Sequence, residues 1–374
     1  MPRFDFLRRG FAMATLASMS LLVSETAWAQ SATSRAPSYP DHTKLLVVRN
    51  ADGEERPVAS RGDWLVRRDH ILAHVQEVMG PLPGGERRVP LDLETIETID
   101  EPKYVRKKIR YSVEPGDRVT SWLLVPKSAK RPLPAMLCLH QTTSIGKDEP
   151  VGLGGKVNLR YARELAERGY VTIAPDYPNF GESKFDAYSA GYASASMKGI
   201  WNHLRAVDVL VGLAEVDPAR IGVIGHSLGG HNSIFAALFD PRLRVVVTSC
   251  GFNDFPHYYG GKIAGWSHAG YMPRLLSVYG LDPTRVPFDF PELLGALAPR
   301  AVFINAPKRD ANFDVAGVEL CVASARPVFE LLGAGDRLRA VHPDAEHDFP
   351  PEIRESAYRF IDESLGGEAP AQTR

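Results

Sequence analysis

The run Gly225-His226-Ser227-Leu228-Gly229 constrains this chain more than any other feature. It fits the pattern G-x-S-x-G. The apolar run Arg220-Ile221-Gly222-Val223-Ile224 precedes it and reads as a buried strand. Gly230 to Phe239 follows and reads as a helix packed by its apolar face. A serine on so sharp a strand-to-helix turn has its hydroxyl thrust out of the sheet. The flanking glycines are required because side chains there would collide with the neighbouring strand and helix. Without that context the motif would be a glycine-rich turn carrying an ordinary serine.

The rest of the chain supplies a sheet for such a turn. Tyr104 to Val113 and Val119 to Val125 alternate as strands, with Pro115-Gly116-Asp117 between them. Further strands read at 133–139, 170–174, 221–224, 243–248, 301–305 and 338–341, and helices at 63–79, 159–168, 195–215, 315–332 and 352–365. From residue 133 onward, strands alternate with helices. This predicts a mostly parallel sheet with helices on both faces. An insert at about 251–298 follows the sixth of these strands. It is rich in aromatics, and a long segment of that kind inside a compact fold is expected to act as a lid or binding region.

The ends read differently. Arg3, Arg8 and Arg9, an apolar stretch from Gly10 to Val23 and the Ala27-Trp28-Ala29 site predict an export signal over residues 1–29. Arg8-Arg9-Gly10-Phe11 is twin-arginine-like, with an ordinary secretory signal as the alternative. The mature protein is therefore expected in the periplasm or secreted, without a membrane span. Residues 30–104 read as a loosely held lead-in and a helix, 105–366 as the main domain and 367–374 as a tail. A net charge of −1 with no basic run argues against a nucleic-acid partner. Cys138, Cys250 and Cys321 lie in apolar segments and read as buried free thiols.

A serine hydroxyl needs a base within hydrogen-bond reach, and the base needs an acid to fix its tautomer. In this chain order the acid follows the serine and the histidine comes last. Asp310 follows the strand 301–305; Asp314 and Asp254 are its competitors. His347, between the last strand and the C-terminal helix, is the candidate base. His342 is its rival, and His226 is expected to pack against the sheet. Backbone N–H groups of Leu228 and Gln141 are the candidate oxyanion donors. Asp176 precedes the serine and is expected to anchor the 178–183 loop. Trp266, Tyr271 and Arg274 are the candidate substrate-binding residues. No metal-ligand spacing, phosphate loop or dinucleotide fingerprint is present, so no metal or cofactor is expected.

With these residues in place the chain resembles the α/β-hydrolase superfamily, especially bacterial dienelactone-hydrolase-like and acetyl-xylan-esterase-like serine esterases. The resemblance rests on Leu139-His140-Gln141, Tyr161-Ala162-Arg163-Glu164-Leu165-Ala166, Ala174-Pro175-Asp176-Tyr177, the serine turn and Glu346-His347-Asp348-Phe349. Dienelactone hydrolases proper carry a cysteine nucleophile, so Ser227 favours ordinary esters. The resemblance implies an acyl-enzyme mechanism on a small-molecule or carbohydrate ester. A serine exopeptidase of prolyl-oligopeptidase-like type and a non-catalytic binding protein on the same scaffold are the rival readings. The short N-terminal region, free of repeats, tells against the first.

Overall fold

Side chains alternate between two cores along the central strands, and this alternation organises the molecule. The computed structural model describes residues 36–127 and 132–366. Chain contacts divide it into Met1–Arg35 and Ala36–Arg374, and the architecture that follows is that of the second unit. The expected export signal and the 367–374 tail lie outside the described residues.

The sheet strands are β3 (Glu94–Asp100), β4 (Tyr104–Glu114), β5 (Asp117–Pro126), β6 (Leu133–Leu139), β7 (Val171–Pro175), β8 (Val216–His226), β9 (Leu243–Ser249), β10 (Ala301–Asn305) and β11 (Leu338–Val341). Their spatial order is β11-β10-β9-β8-β6-β7-β5-β4-β3. From β7 to β11 every pairing is parallel, while β3, β4 and β5 form an antiparallel edge. In β6, Ala135, Leu137 and Leu139 enter one core while Met136 and Cys138 enter the other. Successive residues of a strand point to opposite faces, so both faces of these strands must be apolar.

Helices α1 (Arg61–Met79), α3 (Ala195–Val211), α4 (Leu228–Phe239), α6 (Phe290–Gly295) and α7 (Val315–Leu331) contribute to the first core. Helices α2 (Tyr161–Glu167) and α8 (Pro351–Leu365) close the second. A short α5 (Arg274–Ser277) lies in the insert between β9 and β10. No helix among the described residues is long and apolar enough to cross a membrane.

Two features depart from expectation. The described part of the lead-in is held firmly: β1 (Val47–Arg49) and β2 (Glu55–Pro57) pair antiparallel, and Leu45, Val48 and Val58 are buried in the first core. The sheet also has the additional edge strand β3, so the insert follows the seventh strand of the sheet rather than the sixth.

Candidate active site

The serine turn is built by close approach. Ser227 sits at φ 53°, ψ −116°, between the end of β8 and the start of α4. Its N–H donates to the Ser249 carbonyl of β9 (2.8 Å). A Cβ on Gly225 would overlap the Gly229 carbonyl, and one on Gly229 would overlap the Leu139 carbonyl of β6. A Cβ on Gly230 would come within 2.7 Å of Gly251. Only glycine lets the helix start this close to the sheet.

Asp310 and His347 meet across the loops after β10 and β11. His347 Nδ1 lies 2.9 Å from each Asp310 carboxylate oxygen. That carboxylate also accepts the N–H groups of Asn312 (2.8 Å) and Phe313 (3.2 Å), so it is aimed before it meets the ring. The histidine loop is pinned through its neighbour. The Asp348 carbonyl accepts from Asn305 Nδ2 (2.9 Å) and the Cys250 thiol (3.3 Å), and Asn158 donates to the Asp348 side chain (2.6 Å). Sequence reasoning passed over Asn305 and Asn158, and read Cys250 only as one of three buried free thiols, which it is. A polar residue closing the apolar run Ala301–Asn305 was the available signal for the first.

Ser227 and His347 line one cavity of about 310 Å3, with Gln141, Trp266 and Tyr271. Thr142, His231, Tyr258, Asn312 and Phe313 complete much of its wall and were not singled out from sequence. His231 follows Ser227 by one helical turn, a spacing that puts both on one face of α4. Leu228 opens α4, where the first-turn N–H groups have no partner within the helix. His140 Nε2 accepts the Tyr177 N–H (2.9 Å), so its other nitrogen carries the hydrogen and donates to the Gln141 carbonyl (2.6 Å). Burial lowers the pKa of His140, consistent with that neutral form.

The competing residues are engaged elsewhere. Burial pushes His226 well below the usual histidine range, and its Nδ1 meets Ser249 Oγ at 2.9 Å. His342 lies 3.0 Å from the Ala306 carbonyl. Asp254 holds His257 (2.7 Å) and Asp314 caps α7. Asp176 accepts from Lys147 and from the Glu182 N–H (3.0 Å), tying down its loop.

Arg274 departs from its expected place. Its guanidinium donates to the Glu77 carbonyl (2.8 Å) in the last turn of α1 and does not line the cavity. A cation there offsets the negative end of the helix, which is a structural use. Trp266 lines the cavity, as expected of a substrate-binding residue, yet is only 3% exposed and packs into the core against Phe255, Phe290 and Phe313. Among the described residues one cluster, His226, Cys250 and His347, has the donors to hold a metal ion, with ligand atoms within 4.8 Å of one another. Two of its three members already serve the histidine loop.

Comparison with known proteins places the fold in a family. The model of the alpha/beta hydrolase family matches residues 152–366. The Bacillus subtilis (strain 168) protein YtaP is 25% identical over 299 residues, covering 77% of this chain and 96% of its own. Carbohydrate esterase MZ0003, from an unknown prokaryotic organism, is 24% identical over 359 residues and 80% of each chain is covered. The structure of a glucuronoyl esterase from Solibacter usitatus superposes with a TM-score of 0.67 at 20% identity, covering 89% of this chain and 100% of that one. At that identity the likeness is one of fold.

Proposed function

As the chain belongs to the alpha/beta hydrolase family, we propose that it is an exported serine esterase that cleaves carboxylic esters on carbohydrates. The carrying observation is that Ser227, on its strained turn, shares a cavity with His347, whose Nδ1 faces both oxygens of Asp310. Ser227 Oγ attacks the ester carbonyl while His347 takes its proton. Asp310 keeps hydrogen on Nδ1, leaving Nε2 as the acceptor, and stabilises the imidazolium that forms. The N–H groups of Leu228 and Gln141 receive the oxyanion. His347 returns the proton to the leaving alcohol, and water then releases the acid from Ser227.

The wall favours a ring. Tyr258 and Tyr271 line the cavity with aromatic rings that carry polar tips, suited to a sugar, and Trp266 packs against both. Among the described residues no lysine or arginine lines the cavity, which fits a neutral ester rather than a free acid. A relative named as a carbohydrate esterase and a structural neighbour named as a glucuronoyl esterase support the substrate class.

The test is a panel of acetylated sugars, methyl esters of uronic acids, longer acyl esters and peptides with the mature protein. Turnover of sugar esters, with trapping of Ser227 by a fluorophosphonate, is expected. Peptide cleavage without ester cleavage would return the exopeptidase reading. Failure to label Ser227 would return the binding-protein reading.

A further inference from the structure

A second and larger cleft, of about 870 Å3, lies at the N-terminal ends of the parallel strands. Among the described residues, seven arginines line it against two carboxylates, Asp336 and Glu363, in a chain whose formal net charge is −1. The sheet itself sets them out. Arg220 comes from β8, Arg244 from β9, Arg300 from the residue before β10, and Arg337 and Arg339 from the entry to β11. Arg61 and Arg68 of α1 form a wall. At about 3.3 Å per residue along β8, Arg220 is roughly 20 Å from Ser227, at the opposite end of the sheet.

Few of these charges are matched. Arg220 pairs with Asp217 (2.8 Å) and Arg339 approaches Glu363 (3.6 Å). Arg68 donates to the carbonyls of Leu238 (2.9 Å) and Ala296 (3.0 Å), and Arg300 to those of Ala237, Asp240 and Leu243. Carbonyls satisfy the donors without supplying a full counter-charge, and the Asp240 carboxylate is already held by Arg242 (2.6 Å). Arg61 and Arg244 are exposed and pair with no carboxylate among the described residues. Burial, together with the Arg68 and Arg244 cations, lowers the pKa of Arg300 to about 9.

Like charges crowded together repel, and a ligand carrying the opposite charge relieves this. Guanidinium forks match carboxylates in two-point fashion. Adjacent strands stand about 4.8 Å apart, so cations on four neighbouring strand starts form a strip rather than a point. A strip suits anions repeated along a chain. We propose that this cleft binds an acidic polysaccharide through its repeated carboxylates, holding the polymer on the face opposite the catalytic cavity. The choice of a glycan rests on the carbohydrate-ester reading above; the anion site rests on the arginines alone.

The test is affinity electrophoresis of the mature protein with polygalacturonate, a neutral glucan, a DNA oligonucleotide and phosphatidylglycerol vesicles. Retardation by polygalacturonate but not by the glucan is expected, weakening as salt rises. Reversing two unpaired charges, Arg61→Glu with Arg244→Glu, should raise Kd by about tenfold or more. The variant's kcat/KM on a small aryl ester should be unchanged. No retardation, or binding indifferent to the double reversal, would overturn the proposal. Tighter binding of DNA or vesicles would overturn it in favour of those polyanions. Absence of small-ester turnover in the wild type tells against the esterase reading alone, because binding is measured without catalysis.

Discussion

Ser227 is held where a side chain is costly, and that cost can be measured. Its φ of 53° with ψ −116° is a region that residues with a Cβ rarely enter. Such strain is worth about 1–3 kcal/mol. Ser227→Gly removes the Cβ and should stabilise the fold by about 1 kcal/mol, after the greater freedom of glycine in the unfolded chain is subtracted. Ser227→Ala keeps the Cβ and should leave the melting temperature nearly unchanged. Both should lower kcat by roughly 10³ or more if Ser227 is the nucleophile. Calorimetry beside ester kinetics checks this; a glycine variant less stable than the alanine variant would remove the argument for strain. Asp310 offers a second test at this scale. Asp310→Asn keeps the shape but presents an amide to His347 Nδ1, favouring the wrong tautomer, and kcat should fall by roughly 10³ or more. Asp254→Asn should be mild, because Asp254 is engaged with His257 instead. The reverse order of severity would transfer the acid to the loop after β9.

At the scale of elements, the insert between β9 and β10 joins pocket to core. Trp266 is packed edge-on to His231, with ring centroids 4.8 Å apart, while also walling the cavity. Trp266→Ala should therefore do two things: cost roughly 3–5 kcal/mol, as large aromatic deletions in cores do, and raise KM for sugar esters. Thermal melts with kinetics on the folded fraction read both; a change in only one would assign Trp266 to wall or core alone. How far the elements were legible follows the same physics. Strands β6, β9 and β10 stood out because burial on both faces makes them continuous apolar runs. The serine turn stood out because its glycines are sterically forced. Strand β3 did not, since no residue of Glu94–Asp100 is fully buried and only pairing with β4 makes it a strand. The start of β8 at Val216 was masked by Asp217 and Pro218, whose side-chain chemistry reads as a turn. Arg274 was misplaced for a different reason. Its charge suggested a ligand, but its partner is a backbone carbonyl far off in sequence, and carbonyl positions leave no trace in residue identity.

At the scale of the whole molecule, a buried cluster joins the lead-in and α1 to the insert, and it should govern stability against pH. Glu292 of α6 is fully buried and paired with Arg67 of α1 and with His42 of the lead-in (Nδ1 at 2.8 Å). Beside them Asp289 caps α6, accepting the N–H groups of Phe290 (2.7 Å) and Phe255 (3.0 Å). Burial raises the pKa of Asp289 from 3.8 to about 7. Between those values the native state holds a proton that the unfolded chain has lost. Its contribution is therefore complete below the unfolded pKa and is lost as pH rises towards 7. His42 acts in the same sense: burial opposes its charge, but the Glu292 carboxylate outweighs this and raises its pKa, so its contribution also fades as pH rises through the folded value. The protein should be less stable at pH 8 than at pH 5, with Asp289 supplying on the order of 2 kcal/mol of the difference. Asp289→Asn keeps an oxygen for the cap and cannot ionise, so its stability should change less between the two pH values. Urea unfolding of both proteins at pH 5 and pH 8 measures this directly. Equal pH slopes in wild type and variant would show that Asp289 is ionised in the fold across the whole range, its backbone donors outweighing its burial.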